Sequence, residues 1–563
     1  MIPGMIADKK LKRLIIILLI ITSFFNEAKS QTTERVRPAE WKNLVFGGRF
    51  MDLFLPMPDI GKLTSDTWGA ATVIPRDIKN GIENRKYSFW GGNIQLGDDG
   101  KYHLFVCGWP ESSTRGHMTW PNSTVFHAVS DNSSGPFLVK DTIGKGHNPE
   151  SFRLADGRYV IYVINGYYIA NGVNGPWTYN KFEFLNRDRD IIDGLSNLTF
   201  AGREDGSFLM VNRGGGIWFS QTGISPYNQV TQERVFPKVE GNFEDPVVWR
   251  DNIQYNLIVN DWLGRVAFYL RSKDGVDWIV DPGEAYMPGI SKHADGTVEN
   301  WFKYERLKVF QDMYGRAIQA NFAVIDTLKN QDRGNDNHSS KNICIPLSVP
   351  RLLTILDKNK ITAATKTIRV KIIRENGFDP FKDIDLKSLR FGAPQEVNFG
   401  RGGTVMKTER SGTDMIVTFK ADGIGFPDGE FAAKLLGKTA GGTLLFGYAR
   451  LPGINYIEPI LSARLPEITS IKDGYSLKVE VQNFGQEASK NSELKISFMK
   501  DNKEVEIAEG SIPALKPYQK TSVEMKCGNI FDKGVEYNFA VIINPDDKNP
   551  IKLNGKVIPI KKD

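Results

Sequence analysis

The chain of 563 residues is long enough for three or four domains. Its composition, 40% hydrophobic and 25% charged, excludes a disordered or fibrous chain, and 54 glycines with 11% aromatic residues suit an all-β protein rich in tight turns. A formal charge of +6 with no basic cluster on a candidate recognition helix argues against nucleic acid as a partner, and three scattered cysteines make neither a disulfide framework nor a cysteine zinc site.

Lys9, Lys10, Lys12 and Arg13 open the chain as a positive region, followed by an apolar run from Leu14 to Phe25. About a dozen apolar residues are too few for an ordinary membrane span, so the segment reads as a signal peptide. Ala28 and Ser30 place cleavage before Gln31. The expectation is a secreted or periplasmic protein with no membrane span after cleavage.

A repeat follows: an apolar strand, a turn often spelled Asp-Gly, then a second strand carrying an aromatic residue. Its turns are Asp99-Gly100, Asp156-Gly157 and Asp205-Gly206, with a fourth copy from Glu244 to Ile258 and a weaker fifth from Tyr304 to Arg316. Copies lie about 45–60 residues apart, the length of a four-stranded propeller blade. A second signal runs in phase with the first: Gly135-Pro136-Phe137, Gly175-Pro176-Trp177, Pro226-Tyr227 and Trp278. Five blades over 31–350 are the prediction, because closing a ring removes exposed sheet edges. Residues 327–342 read as a polar loop, and Ile343–Leu347 as a late propeller strand. Beyond it the blade pattern ends. Alternating strands such as Thr367–Ile372 and Asp414–Phe419 predict a β-sandwich over 351–465, and Tyr475–Asn483 opens an immunoglobulin-like sandwich over 466–563. The fold class is therefore all-β: a five-bladed β-propeller followed by two β-sandwich domains.

The inner-strand starts Asn148-Pro149 and Asp245-Pro246, the Asp-Gly-x-Tyr turns, Gly175-Pro176-Trp177 and Glu305-Arg306 resemble the five-bladed glycoside hydrolases of the family 43, 62, 32 and 117 superfamily. The segment Val479–Gly485 resembles adhesion-related immunoglobulin-like modules. The first resemblance implies a funnel whose lining begins each inner strand, with a base, a tuning aspartate and an acid in the first three blades. This chain departs from that pattern. The base position falls near Trp90-Gly91-Gly92, the tuning position is Asn148, and the acid position falls near Ser196-Asn197. Carboxylates gather instead in the later blades.

The catalytic candidates are Asp245, Glu305, Glu244 and His147. Glycosidases need two carboxyl groups flanking the bond, about 5–5.5 Å apart for retention and about 6.5–9.5 Å for inversion. Asp245 precedes a proline at an inner-strand start, and Glu305 begins the fifth inner strand. Glu244 points the other way by strand alternation unless a bulge intervenes. Imidazole suits proton transfer or sugar hydroxyls, and the likeness to family 117 implies a histidine acid, which singles out His147. Substrate-binding candidates are Trp90 and Trp262 as stacking platforms, Asn148, Asp193, and Arg213 for a sulfate or carboxylate. Glu150 lies too far along its strand to reach the pocket, and Asp77 and Glu83 flank a loop placed to cover it. No histidine spacing marks a metalloenzyme and no cofactor is expected, although the channel leaves room for a structural cation. The reading is an exo-acting glycosidase on plant or algal oligosaccharides. The alternatives are a non-catalytic glycan-binding or adhesion propeller, a phosphorylase and a polysaccharide lyase.

Overall fold

The computed structural model describes residues 34–58, 63, 70, 72–532, 534–547 and 549–560; the expected signal peptide and its cleavage point lie outside them. Five sheets arise in succession between Tyr87 and Pro346. Their inner strands are Tyr87–Leu96, Glu150–Arg153, Thr199–Gly202, Phe243–Arg250 and Lys303–Gln311. The first strand packs beside both the second and the fifth, so the sheets close into a five-bladed propeller.

The repeated turn has a local cause. In every blade an aspartate after the inner strand accepts the backbone N–H two residues on: Asp99 from Lys101, Asp156 from Arg158, Asp205 from Ser207, Asp251 from Ile253 and Asp312 from Tyr314, at 2.8–3.1 Å. Such Asx turns reverse the chain without a partner strand. Where glycine follows, as at Gly157 (φ +88°), it takes the left-handed step. Between blades, Trp177 of the second meets Phe105 of the first edge-on at 5.5 Å.

The fifth blade takes only three strands from its own sequence, Lys303–Gln311, Ala317–Ile325 and Ser340–Pro346. An earlier segment completes it: Ile82 bridges antiparallel to Asn342, and Phe54 to Leu347. The last three residues of the expected loop 327–342 are thus strand, and their buried polar side chains sit between Ile325–Ala323 and the closing segment. Gly81 fixes this closure. At φ +69°, an added Cβ would lie 1.8 Å from the Asn342 carbonyl oxygen. Gly81→Ala is expected to cost about 2 kcal/mol or more and to lower the apparent melting temperature. An unchanged melt would mean that this bridge does not hold the ring.

Two sandwiches follow. The first pairs a sheet of Leu353–Ile355, Thr367–Ile372, Asp414–Lys420 and Val405–Ser411 with one of Arg390–Gly392, Ala432–Lys438 and Leu444–Arg450. Alternate residues such as Ile368, Val370, Val417, Phe391 and Leu435 meet between the sheets. The second joins a sheet around Gly474–Asn483 to one around Ser492–Lys500. Both dock on the propeller. Val397, Leu436 and Phe446 of the first share a core with Phe50, Trp249 and Leu347. Toward the second, Arg203 donates to the Phe484 carbonyl at 2.9 Å and Arg187 lies over the Phe484 ring. Among the described residues no helix is long and apolar enough to cross a membrane.

Candidate functional site

One feature recurs at the same level of all five blades. Gly91, Asn148, Asn197, Asp245 and Arg306 each take left-handed backbone, with φ between +45° and +56°. In blades one, four and five the step coincides with a break in strand register, between Trp90 and Gly92, Glu244 and Val247, and Glu305 and Lys308. In blades two and three it falls just before the strand. Non-glycine residues rarely adopt this conformation, and asparagine and aspartate do so most readily. The five steps form a ring at one end of the channel. The bulge in blade four also settles where Glu244 points: the amide of Asn197 donates to Glu244 Oε1 at 2.7 Å and to Asp245 Oδ1 at 3.0 Å, so consecutive carboxylates face the same place.

Arg306 ties this ring together. Its Nη1 lies 2.9 Å from Asp245 Oδ1. The amide orientation of Asn148 is set by its neighbours: its oxygen accepts from Arg306 Nη1 at 2.9 Å and Nη2 at 3.0 Å, while its nitrogen donates to His147 Nε2 at 3.3 Å. His147 Nδ1 then faces Ser123 Oγ at 2.9 Å and Cys107 Sγ at 3.4 Å. Gly91 completes the ring because nothing larger fits; a Cβ there would stand 2.8 Å from the Asn148 side-chain amide, beside Arg306. That crowding accounts for the missing carboxylate in blade one.

Burial and charge sort the candidates. The Asp245 side chain is wholly buried, and burial pushes its carboxyl up to about 7, with Arg306 pulling it back and Glu244 and Glu305 adding to the rise. Glu305 is buried as well. Burial favours its protonation, but Lys329 and then Lys303 outweigh burial and hold it below the usual carboxylate range. Burial, followed by Arg306, drives His147 well below its ordinary value, so it stands neutral and positions Asn148 rather than donating a proton. Burial likewise pushes the Cys107 thiol up to about 12, leaving it no nucleophile. Glu244 reaches solvent with 19% of its side chain exposed, and the more open Asp193 stands across from it; both approach Arg213 Nε, at 3.6 and 3.5 Å.

The platforms are less open than the sequence suggests. Trp90 is 1% exposed, with the Lys329 ammonium 5.1 Å from its ring centroid and His117 against its edge. Trp262 is half-buried under Lys303 at 4.6 Å. Trp120, half-buried and 4.9 Å from the His147 ring, is an aromatic neighbour the sequence did not single out. Below the ring, Glu150 pairs with Lys308, whose ammonium also reaches Thr199 Oγ1 at 3.3 Å. This lysine places positive charge in the channel, where a structural cation was considered. Asp77 and Glu83 lie in the ring-closing segment: the Asp77 N–H donates to Glu299 at 2.8 Å, and Glu83 pairs with Arg76 at 2.7 Å and Lys341 at 3.0 Å.

The nine predicted site residues fall into two contact groups: Asp245, Asn148, His147, Glu244, Asp193 and Arg213 around Arg306 and Asn197, and Glu305, Trp90 and Trp262 around Lys303 and Lys329; the groups form one site where Glu305 precedes Arg306. Asp245 gives it a pH signature. Its folded value lies above the ordinary 3.8, so between about pH 4 and 7 the native state holds more protons than the unfolded chain, and stability falls as pH rises through that window. Asp245→Asn is expected to flatten this part of the curve of denaturation midpoint against pH; identical slopes would place the titration elsewhere.

The chain matches no protein family and no curated protein. It is similar in structure to a protein described as a glycoside hydrolase, at 12% identity over 79% of this chain and 97% of the other, with a TM-score of 0.35. It is also similar to a family-43 glycoside hydrolase from Bacillus licheniformis, at 10% identity over 84% of this chain and 77% of the other, with a TM-score of 0.26. A third likeness is to a sialidase, at 11% identity and a TM-score of 0.29; this chain aligns over 90% of its own length and spans about half (49%) of the sialidase chain.

Proposed function

We propose that this protein is an exported glycoside hydrolase that releases a terminal sugar from an oligosaccharide held over the ring, where Glu244, Asp193 and Arg213 reach solvent. The observation that carries the reading is the blade-four bulge, which presents Glu244 to solvent beside a buried Asp245 on one shared amide. Glu244 is the carboxylate that activates water or attacks the anomeric carbon, and Asp193, on the other side of Arg213, is the second carboxyl group such chemistry requires. Asp245 and Glu305 act through others: Asp245 fixes Arg306 and Asn197, and Glu305 anchors Lys303 and Lys329. Arg213, partly exposed between Asp193 and Glu244, offers a guanidinium that would meet a sulfate or carboxylate on the sugar.

The test is incubation of the protein with neutral, uronic-acid and sulfated oligosaccharides, with products read by mass spectrometry. A released monosaccharide, fastest from an anionic substrate, is expected. Burial of Asp245 and Glu305 favours a second reading, glycan binding without cleavage, which saturable binding of unchanged oligosaccharide would select.

A further inference from the structure

Away from this ring, three carboxylates converge on the seam between the first and last blades. Glu111 directly follows the second strand of blade one (Tyr102–Pro110), while Asp332 and Asp336 belong to the segment leading into the last strand of blade five (Ser340–Pro346). One oxygen of each lies within 4.8 Å of the others. Among the described residues none of the three pairs with a lysine or arginine; the nearby Arg333 guanidinium turns instead onto the backbone carbonyls of Asn330 and Asp332.

The second observation concerns Asp332 itself. It is 1% exposed, and neither carboxylate oxygen has a partner in good hydrogen-bond geometry; the backbone N–H of His117 nearby offsets little of its burial. A buried carboxylate left this way costs several kcal/mol unless something positive meets it. Burial, then Glu111 and Asp336, raise it to about 7. The neighbours are otherwise satisfied. Glu111 Oε2 accepts from Ser88 Oγ at 2.6 Å, Asp336 accepts the N–H groups of Arg333 and His338 at 2.7 Å each, and Asp326 pairs with His338 at 2.9 Å. The backbone is drawn tight here: a Cβ on Gly116 would meet the Asp332 carbonyl oxygen at 2.2 Å, and Asn335 donates its N–H to the Glu111 carbonyl at 3.0 Å.

We infer that Glu111, Asp332 and Asp336 form a binding site for a hard divalent cation of the calcium type, which clips the last blade to the first. An all-oxygen, carboxylate-rich donor set suits such ions and not the softer transition metals. The clip spans the seam where the ring closes. Three residues before Asp332 lies Lys329, which reaches Glu305 and Trp90, so the same ion would steady one side of the candidate site.

The full chain, stripped with EDTA, is titrated with calcium chloride alone by calorimetry, and with terbium(III), whose luminescence Trp109 and Trp120 can sensitise. One saturable calcium per chain is expected, with a higher melting temperature in calcium than in EDTA. Asp332→Asn and Asp336→Asn should each weaken binding by roughly tenfold or more. Stripped Asp332→Asn should melt no lower than stripped wild type, because it removes the uncompensated charge. No saturable binding by wild type would overturn the inference and leave a protonated Asp332 in its place. Binding undiminished in both variants would overturn it too, by placing the ion elsewhere.

Discussion

Arg271→Leu is expected to destabilise the joint between the propeller and the first sandwich by about 3–5 kcal/mol. The Arg271 side chain is wholly buried. Its Nε donates to Asp281 Oδ1 at 2.8 Å, and its two terminal nitrogens grip Glu430 bidentately at 3.1 and 3.2 Å. Leucine would leave two buried carboxylates, from blade four and from the sandwich, without their cation. The cost comes from stranding those charges and not from the net worth of the triad, so Arg271→Leu combined with Glu430→Leu should recover part of the loss. Guanidinium melts followed by tryptophan fluorescence read both. A single variant that melts like wild type would show that water reaches the triad and that the two domains are not locked there.

Glu244→Gln should lower turnover by about 10²–10⁴-fold while leaving oligosaccharide affinity within a few fold. Glutamine keeps the shape and still accepts the Asn197 N–H through its amide oxygen, so the ring and the fold should persist. The variant removes only the ability to take a proton or form a bond to the sugar. Asp245→Asn and Glu305→Gln are expected to differ from it: each unpairs buried cations, so their losses should appear in stability and pH dependence as well as in rate. Turnover retained in Glu244→Gln would remove this residue from the chemistry.

The propeller was legible because its signals are local. An aspartate turn in each blade and the in-phase proline–aromatic segments depend on neighbours only a few residues away, and periodicity exposes them. The fourth element of blade five was not legible, since Ile82 and Asn342 are neighbours in the fold but lie at opposite ends of the propeller sequence. The candidate site divides the same way. Asp245 and Glu305 stood out as carboxylates at strand starts, but their ion partners come from distant chain: Lys329 lies in a stretch that reads as an ordinary polar loop. Burial therefore reversed the order of the carboxylates, because alternation alone turned Glu244 away and only the bulge turned it back. One signal for the ring was present and unread: Gly91, Asn148, Asn197 and Asp245 are residue types that tolerate left-handed backbone, recurring at each inner-strand start.

The central claim is that the ring site around Glu244 hydrolyses a glycosidic bond. The most direct measurement is incubation of wild type with the oligosaccharide panel in ¹⁸O-enriched water, with the released sugar weighed by mass spectrometry. The account predicts a monosaccharide carrying one solvent-derived ¹⁸O at its anomeric position. Intact oligosaccharide, a sugar phosphate or an unsaturated product without label would contradict it.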